Sequence, residues 1–96
     1  MNDRTGRMAV YELETAARLT RLPPARVRRY LRVGLVRPAR VEGRTAFFSD
    51  AELARLRTIR RLREDLGLNA AGIEVALRLV DEIKTLRNAL AARSDR

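Results

Sequence analysis

Two consecutive prolines divide the first third of this chain. Leu22-Pro23-Pro24 stands between two short amphipathic runs, and no helix passes through it, because proline lacks an N–H and its ring collides with the preceding turn. Upstream, Leu13, Ala16, Ala17 and Leu19 space out a helix over residues 14–20, too short to be stable unless it packs on a neighbour. Downstream, Pro24 suits a first helical turn, where its missing N–H costs nothing. The second helix then runs over residues 24–33 with Val27, Tyr30 and Leu31 turned inward, and Gly34 ends it where a left-handed cap is needed. Two short helices joined by a tight turn make a helix-turn-helix candidate.

The chain changes character after Gly34. Leu35, Val36, Val41, Thr45, Phe47 and Phe48 flank Glu42-Gly43, a turn between two extended runs, which predicts a β-hairpin, or wing, over residues 36–48. Ser49-Asp-Ala-Glu52 has the form of a capping box and predicts a third helix with Leu53, Leu56, Ile59, Leu62 and Leu66 on its buried face, stopped by Gly67. Asn69 is placed to cap a fourth helix over residues 70–92. At 1.5 Å per residue this helix is about 35 Å long, more than a chain of 96 residues needs to close its own core. Ile73, Leu77 and Val80 are spaced to pack back on the domain, whereas Ala76, Leu79, Ile83, Leu86 and Leu90 follow the steps of three and four of a coiled-coil seam, which predicts dimerisation. The organisation expected is a disordered tail over 1–9, a winged helix-turn-helix domain over 10–68, and a long dimerisation or interaction helix over 69–96. The fold class is mostly α with one small hairpin.

Chemistry is narrowed by what is missing. The chain has no Cys and no His, which removes disulfides, thiolates, imidazole bases and the usual zinc ligands. The carboxylates Asp50, Glu52, Glu64, Asp65, Glu74, Asp81 and Glu82 fall at helix ends or on solvated faces, and the adjacent Asp81 and Glu82 point some 100° apart around a helix. No catalytic constellation is expected, and the chain is not read as an enzyme. Nor is a membrane partner: the amino terminus MNDRTGR is polar and no apolar run reaches spanning length, so a cytoplasmic protein is expected.

Charge supplies the positive indication. Lys and Arg number 21 against 12 Asp and Glu, a net charge of +9, and every basic residue but Lys84 is Arg. A solvated basic surface would show the same excess. Six arginines, however, fall between Arg26 and Arg40, with Arg44 a seventh on the hairpin. On the second helix Arg26 and Arg29 lie at i and i+3, and Arg28 and Arg32 at i and i+4, so the pairs flank its outer surface. The second helix of a helix-turn-helix enters the major groove of double-stranded DNA, and clustered cations gain affinity by displacing counterions from phosphate. Arg26, Arg28, Arg29 and Arg32 are therefore candidate base or phosphate contacts, and Arg37, Arg40 and Arg44 candidate backbone contacts. Tyr30 is expected to be partly inward, with its hydroxyl free to reach a phosphate.

The order helix-turn-helix, wing, helix and long helix, together with Arg28-Arg-Tyr30, Gly34-Leu-Val36, Pro38, Arg44 and Phe48-Ser49-Asp50, resembles the winged-helix domain of the MerR superfamily over residues 10–92. Two branches compete. Val10-Tyr11, the run from Arg28 to Arg40, and Gly67-Leu-Asn-Ala-Ala-Gly-Ile73 resemble the HspR-type heat-shock repressors, which bind inverted-repeat operators near chaperone genes. Arg61 to Leu86 resembles the signature of the CbpM-type chaperone modulators, which bind the J-domain of a DnaJ-type co-chaperone. The wing, Glu42-Gly43-Arg44-Thr-Ala-Phe47-Phe48, departs from the Gly-Gly and Arg-Arg-Tyr usual in the repressors. The first resemblance implies a dimeric regulator on a palindromic site. The second implies that Glu64, Asp65, Glu74, Asp81 and Glu82 face a basic J-domain, and either one brings in a DnaJ- or DnaK-type chaperone. Metal- and drug-sensing members keep a ligand site beyond the long helix. With no Cys and a chain ending at Arg96, no cofactor is expected.

Overall fold

A computed structural model describes residues 9–94. Apart from Ala9, the tail expected over 1–9 lies outside the described residues, as do the last two positions of the chain. The order of elements is β1 (Tyr11–Glu12), α1 (Leu13–Thr20), α2 (Pro24–Arg32), β2 (Arg40–Glu42), β3 (Thr45–Phe48), α3 (Asp50–Glu64) and α4 (Ala70–Ser94). This is a winged helix-turn-helix with a long terminal helix.

Local chemistry accounts for most of the boundaries. Pro24 begins α2, and the Pro23 carbonyl accepts the first helical bonds from the N–H groups of Arg26 and Val27 at 2.9 and 3.2 Å. At the other end Gly34 takes φ 81°. Gly34 N–H then donates to Leu31 O and Leu35 N–H to Tyr30 O, the paired bonds of a glycine-terminated helix. The same closure ends α1, with Arg21 N–H donating to Arg18 O and Leu22 N–H to Ala17 O, but here Arg21 occupies the left-handed position at φ 61°. Ser49 and Glu52 form the capping box of α3, with Ser49 N–H donating to Glu52 Oε1 at 2.7 Å. Asn69 Oδ1 accepts from Gly72 N–H at 2.9 Å in the first turn of α4.

Three expectations need correction. The sheet has three strands and not two: β1 adds to the hairpin in the order β1-β3-β2, with Tyr11 opposite Phe48 and Glu12 opposite Phe47. A strand of two residues offers no alternation to read, and long-range pairing defines it. Second, α3 ends at Glu64, and Gly67 turns the chain at φ 69° with its N–H bonded to Arg63 O. Leu66 is thereby thrown out of helical register and is 67% exposed, while Leu68 packs on the core in its place. Third, Tyr30 is buried outright and belongs to the core.

The core sits where the three short elements meet the start of α4. Phe48, Leu56, Ile59, Ile73, Val27 and Val36 are its most enclosed large side chains, and the buried Thr20 hydroxyl is satisfied by Ala16 O at 2.7 Å. Ile73 and Leu77 pack into this core, so the first two turns of α4 are part of the globule. Every described residue from Asp81 onward is exposed. At 1.5 Å per residue this leaves about 20 Å of helix standing clear of the domain.

Candidate nucleic-acid interface

The buried side of α2 decides what its other side presents. Val27 and Tyr30 fix the helix to the core, and Leu31 is partly buried beside them. Arg28, Arg29 and Arg32 are consequently exposed and Arg26 half-buried. Arg26, Arg29 and Arg32 follow one another at i, i+3 and i+6 along an open groove of about 1060 Å³ between α2 and the α3–α4 junction, which Arg63 and Glu74 also line. Arg28 points elsewhere, toward α1, where its Nη2 donates to Glu14 Oε2 at 2.9 Å.

The wing extends this surface. Leu35 and Val36 are buried, and their N–H groups both donate to the Tyr30 carbonyl, so the chain leaving the recognition helix is fixed at its root. The strands pair Arg40 with Phe47, Val41 with Ala46 and Glu42 with Thr45. Gly43 and Arg44 form the two-residue turn, Gly43 at φ 61° in the first central position where a side chain would be strained. Arg44 is thus exposed at the tip and Arg37 is exposed at the root. Arg40 is engaged inside the hairpin: its guanidinium lies 5.2 Å from the Phe47 ring centroid and its Nε is 2.9 Å from Glu42 Oε2. Of the wing arginines it is the most committed to its own sheet.

Tyr30 lines the same groove as a buried side chain. Its hydroxyl oxygen is shielded and makes no hydrogen bond among the described residues.

The acidic residues read as partner-facing are largely turned toward arginines of the same chain. Asp81 receives a two-pronged contact from Arg55, Nη1 to Oδ1 at 3.0 Å and Nη2 to Oδ2 at 3.4 Å, and Arg55 Nε donates to the Leu35 carbonyl at 2.7 Å. Arg60 Nε stands 3.3 Å from Glu64 Oε1, close enough for attraction though misaligned for a hydrogen bond. Glu74 shares the groove with four arginines, while Asp65 and Glu82 are exposed. No three carboxylates come close enough to hold a metal ion among the described residues. Asp81, whose side chain stays 52% exposed, ties α4 to α3 and, through Arg55, to the turn that follows the recognition helix. Spacing gives no sign of Glu14 or Arg55, whose partners are 14 and 26 residues away.

The seam residues divide. Ala76 is half-buried against the domain, whereas Leu79, Ile83, Leu86 and Leu90 are between 50 and 67% exposed, and Val75, at 50%, joins them. No described helix is long and apolar enough to cross a membrane.

Residues 11–80 match the MerR HTH family of regulatory proteins, an interval that covers both helices of the helix-turn-helix, the wing, α3 and the packed part of α4. Over 78 residues the chain is 37% identical to the Streptomyces coelicolor protein named as heat shock protein HspR. That alignment takes in 81% of this chain but 52% of the relative, so the chain spans about half the length of the protein it resembles. Fold, basic face and family match coincide on the same residues: the chain belongs to the MerR helix-turn-helix family of regulatory proteins.

Proposed function

We propose that this protein is a DNA-binding transcriptional regulator of the HspR kind, acting as a homodimer on a palindromic site and controlling chaperone genes. The observation that carries the reading is the set of exposed arginines on the outer side of α2 and the wing, Arg28, Arg29, Arg32, Arg37 and Arg44, around a helix that is fixed from behind. In that role α2 enters the major groove, Arg26, Arg28, Arg29 and Arg32 supply base or phosphate contacts, and Arg37, Arg40 and Arg44 hold the flanking backbone. A second copy is supported by the apolar stripe Leu79, Ile83, Leu86 and Leu90, which has no partner among the described residues. A dimer with two-fold symmetry reads two half-sites, and the angle at which α4 leaves the domain sets their spacing. The link to chaperone genes rests on the resemblance to the HspR-type repressors, which the likeness to the Streptomyces heat shock protein supports.

The J-domain-binding alternative draws on the run from Arg61 to Leu86, where Asp81, half exposed, would have to exchange its contact with Arg55 for one with a basic partner. It serves best as the second arm of one experiment. Binding is measured to duplex DNA from upstream of the protein's own operon and to the J-domain protein of the same cell, each at two salt concentrations. The expected result is tight, sequence-selective DNA binding. Arg44→Ala should weaken binding to every sequence and flatten the dependence of log K on log salt by about one unit. Arg28→Ala should remove selectivity. Tight J-domain binding beside weak, salt-erased DNA binding would replace this reading with the modulator.

A further inference from the structure

The contact between Glu14 and Arg28 places a carboxylate on the face that the preceding reading gives to DNA. Arg28 Nη2 donates to Glu14 Oε2 at 2.9 Å across the junction of α1 and α2, and both side chains are more than half exposed. Polyanion binding alone does not account for the arrangement, because an acid among these arginines repels phosphate. Glu14 lies in the first turn of α1, where a carboxylate favours the helix dipole, but that role does not require a recognition-helix arginine as its partner.

Two kinds of DNA affinity respond differently to such a pair. Binding to arbitrary sequence comes almost entirely from counterion release and counts net charge. Readout of a base edge counts correctly placed donors, and a guanidinium presents five N–H groups in a rigid fork. Paired with Glu14, Arg28 loses its net charge but commits only one of those donors, so it gains little from a random phosphate while the rest of the fork can still meet the two acceptors of a guanine. The magnitudes agree. An exposed ion pair holds by a factor of about five or less, whereas a good bidentate base contact discriminates by about five- to more than a hundredfold. A matched base can therefore outweigh or tolerate the pair, whereas most of what a lone phosphate gains is offset by breaking it.

We propose that Glu14 is a specificity-determining residue, which neutralises and orients Arg28 so that this arginine contributes to sequence readout and not to non-specific phosphate binding. The proposal rests on the DNA-binding reading above and assigns a role to an acidic residue that is not one of its basic contacts.

The test compares wild type, Glu14→Gln, Arg28→Ala and the double variant on two probes, a random-sequence duplex and a site selected by the wild-type protein from a randomised pool. Glu82→Gln on α4 controls for a uniform change in net charge. Glu14→Gln should raise affinity for the random duplex by up to about fivefold per protomer near 0.1 M salt and steepen its salt slope toward the roughly 0.9 of one additional phosphate contact. Affinity for the selected site should rise much less, so that discrimination falls by nearly the same factor. In the Arg28→Ala background both effects should vanish, and Glu82→Gln should leave discrimination unchanged. Equal gains on both probes, an unchanged ratio, or the same gain without Arg28 would overturn the role of Glu14 while leaving DNA binding intact. Failure of the wild-type protein to select any site would instead refute the DNA-binding reading, and this inference with it.

Discussion

Replacing Arg55 with Met keeps the apolar stem of the side chain and removes the guanidinium with its three donor nitrogens. Two losses follow, and they differ in size. The Leu35 carbonyl, on a residue only 7% exposed, loses a donor at 2.7 Å from a charged group. Leaving a carbonyl in that setting unpaired costs about 1–3 kcal/mol. Asp81 loses a two-pronged contact, but its side chain is 52% exposed, and an ion pair so close to water contributes about 0.2–1 kcal/mol. Together they predict a destabilisation of about 2 kcal/mol for Arg55→Met, against about 0.5 kcal/mol for Asp81→Asn, which removes the second contact alone. Urea unfolding followed by circular dichroism at fixed protein concentration would measure both, the concentration being held because association shifts apparent stability. With m near 1 kcal/mol per M the midpoint should fall by about 2 M for Arg55→Met. Salt of 0.5 M should shrink the Asp81→Asn effect and leave most of the Arg55→Met effect, since a half-buried bond is screened less. Equal losses for the two variants, or a loss below about 0.5 kcal/mol for Arg55→Met, would refute the view that Arg55 acts chiefly by closing off the end of the recognition helix.

Tyr30→Phe removes a buried hydroxyl that has no partner among the described residues, so stability should be unchanged or higher by up to about 1 kcal/mol and DNA affinity unchanged; a tenfold loss of affinity would restore a phosphate-binding role to the hydroxyl. Arg21→Gly relieves a side chain held at φ 61°, and part of that gain is returned to the more flexible unfolded chain, leaving a net stabilisation of about 0.5 kcal/mol measurable as a rise in the thermal midpoint. If the protein dimerises as proposed, Ile83→Glu, in the middle of the exposed stripe, should leave a monomer in sedimentation while the spectrum of the domain persists; a dimer that survives the substitution would move the self-association surface elsewhere.

Features with a local cause could be read from the chain. Pro24, Gly34, the Ser49–Glu52 box and Asn69 mark helix ends because each answers a need of the backbone within a few residues, and the structure uses all of them in that way. The basic residues of α2 were legible as a surface for a related reason: once Val27 is inward, helical geometry fixes the direction of Arg28 and Arg32. Features defined only by folding were not. The strand at Tyr11–Glu12 exists because β3 lies beside it. Leu66 continues the apolar period of α3 beyond the point where the helix stops, so the period alone misplaces it. The pairs Glu14–Arg28 and Arg55–Asp81 depend on how helices cross, and those two carboxylates, which look alike in sequence, meet quite different neighbours.

The division of α4 has a thermodynamic consequence. Its first part shares the global stability of the domain through Ile73 and Leu77, and its outer part, with no residue buried, is held by helix propensity alone. A solvated segment of about fourteen residues is near the limit at which an isolated helix persists in water. The helix is thus continuous in shape but divided in cooperativity: amide exchange should be slow up to about Val80 and fast beyond it in dilute protein, and the outer turns should gain protection as concentration rises. If the seam pairs as proposed, ordering of those turns and association become one event, and the population of the long helix would then report on the amount of protein present.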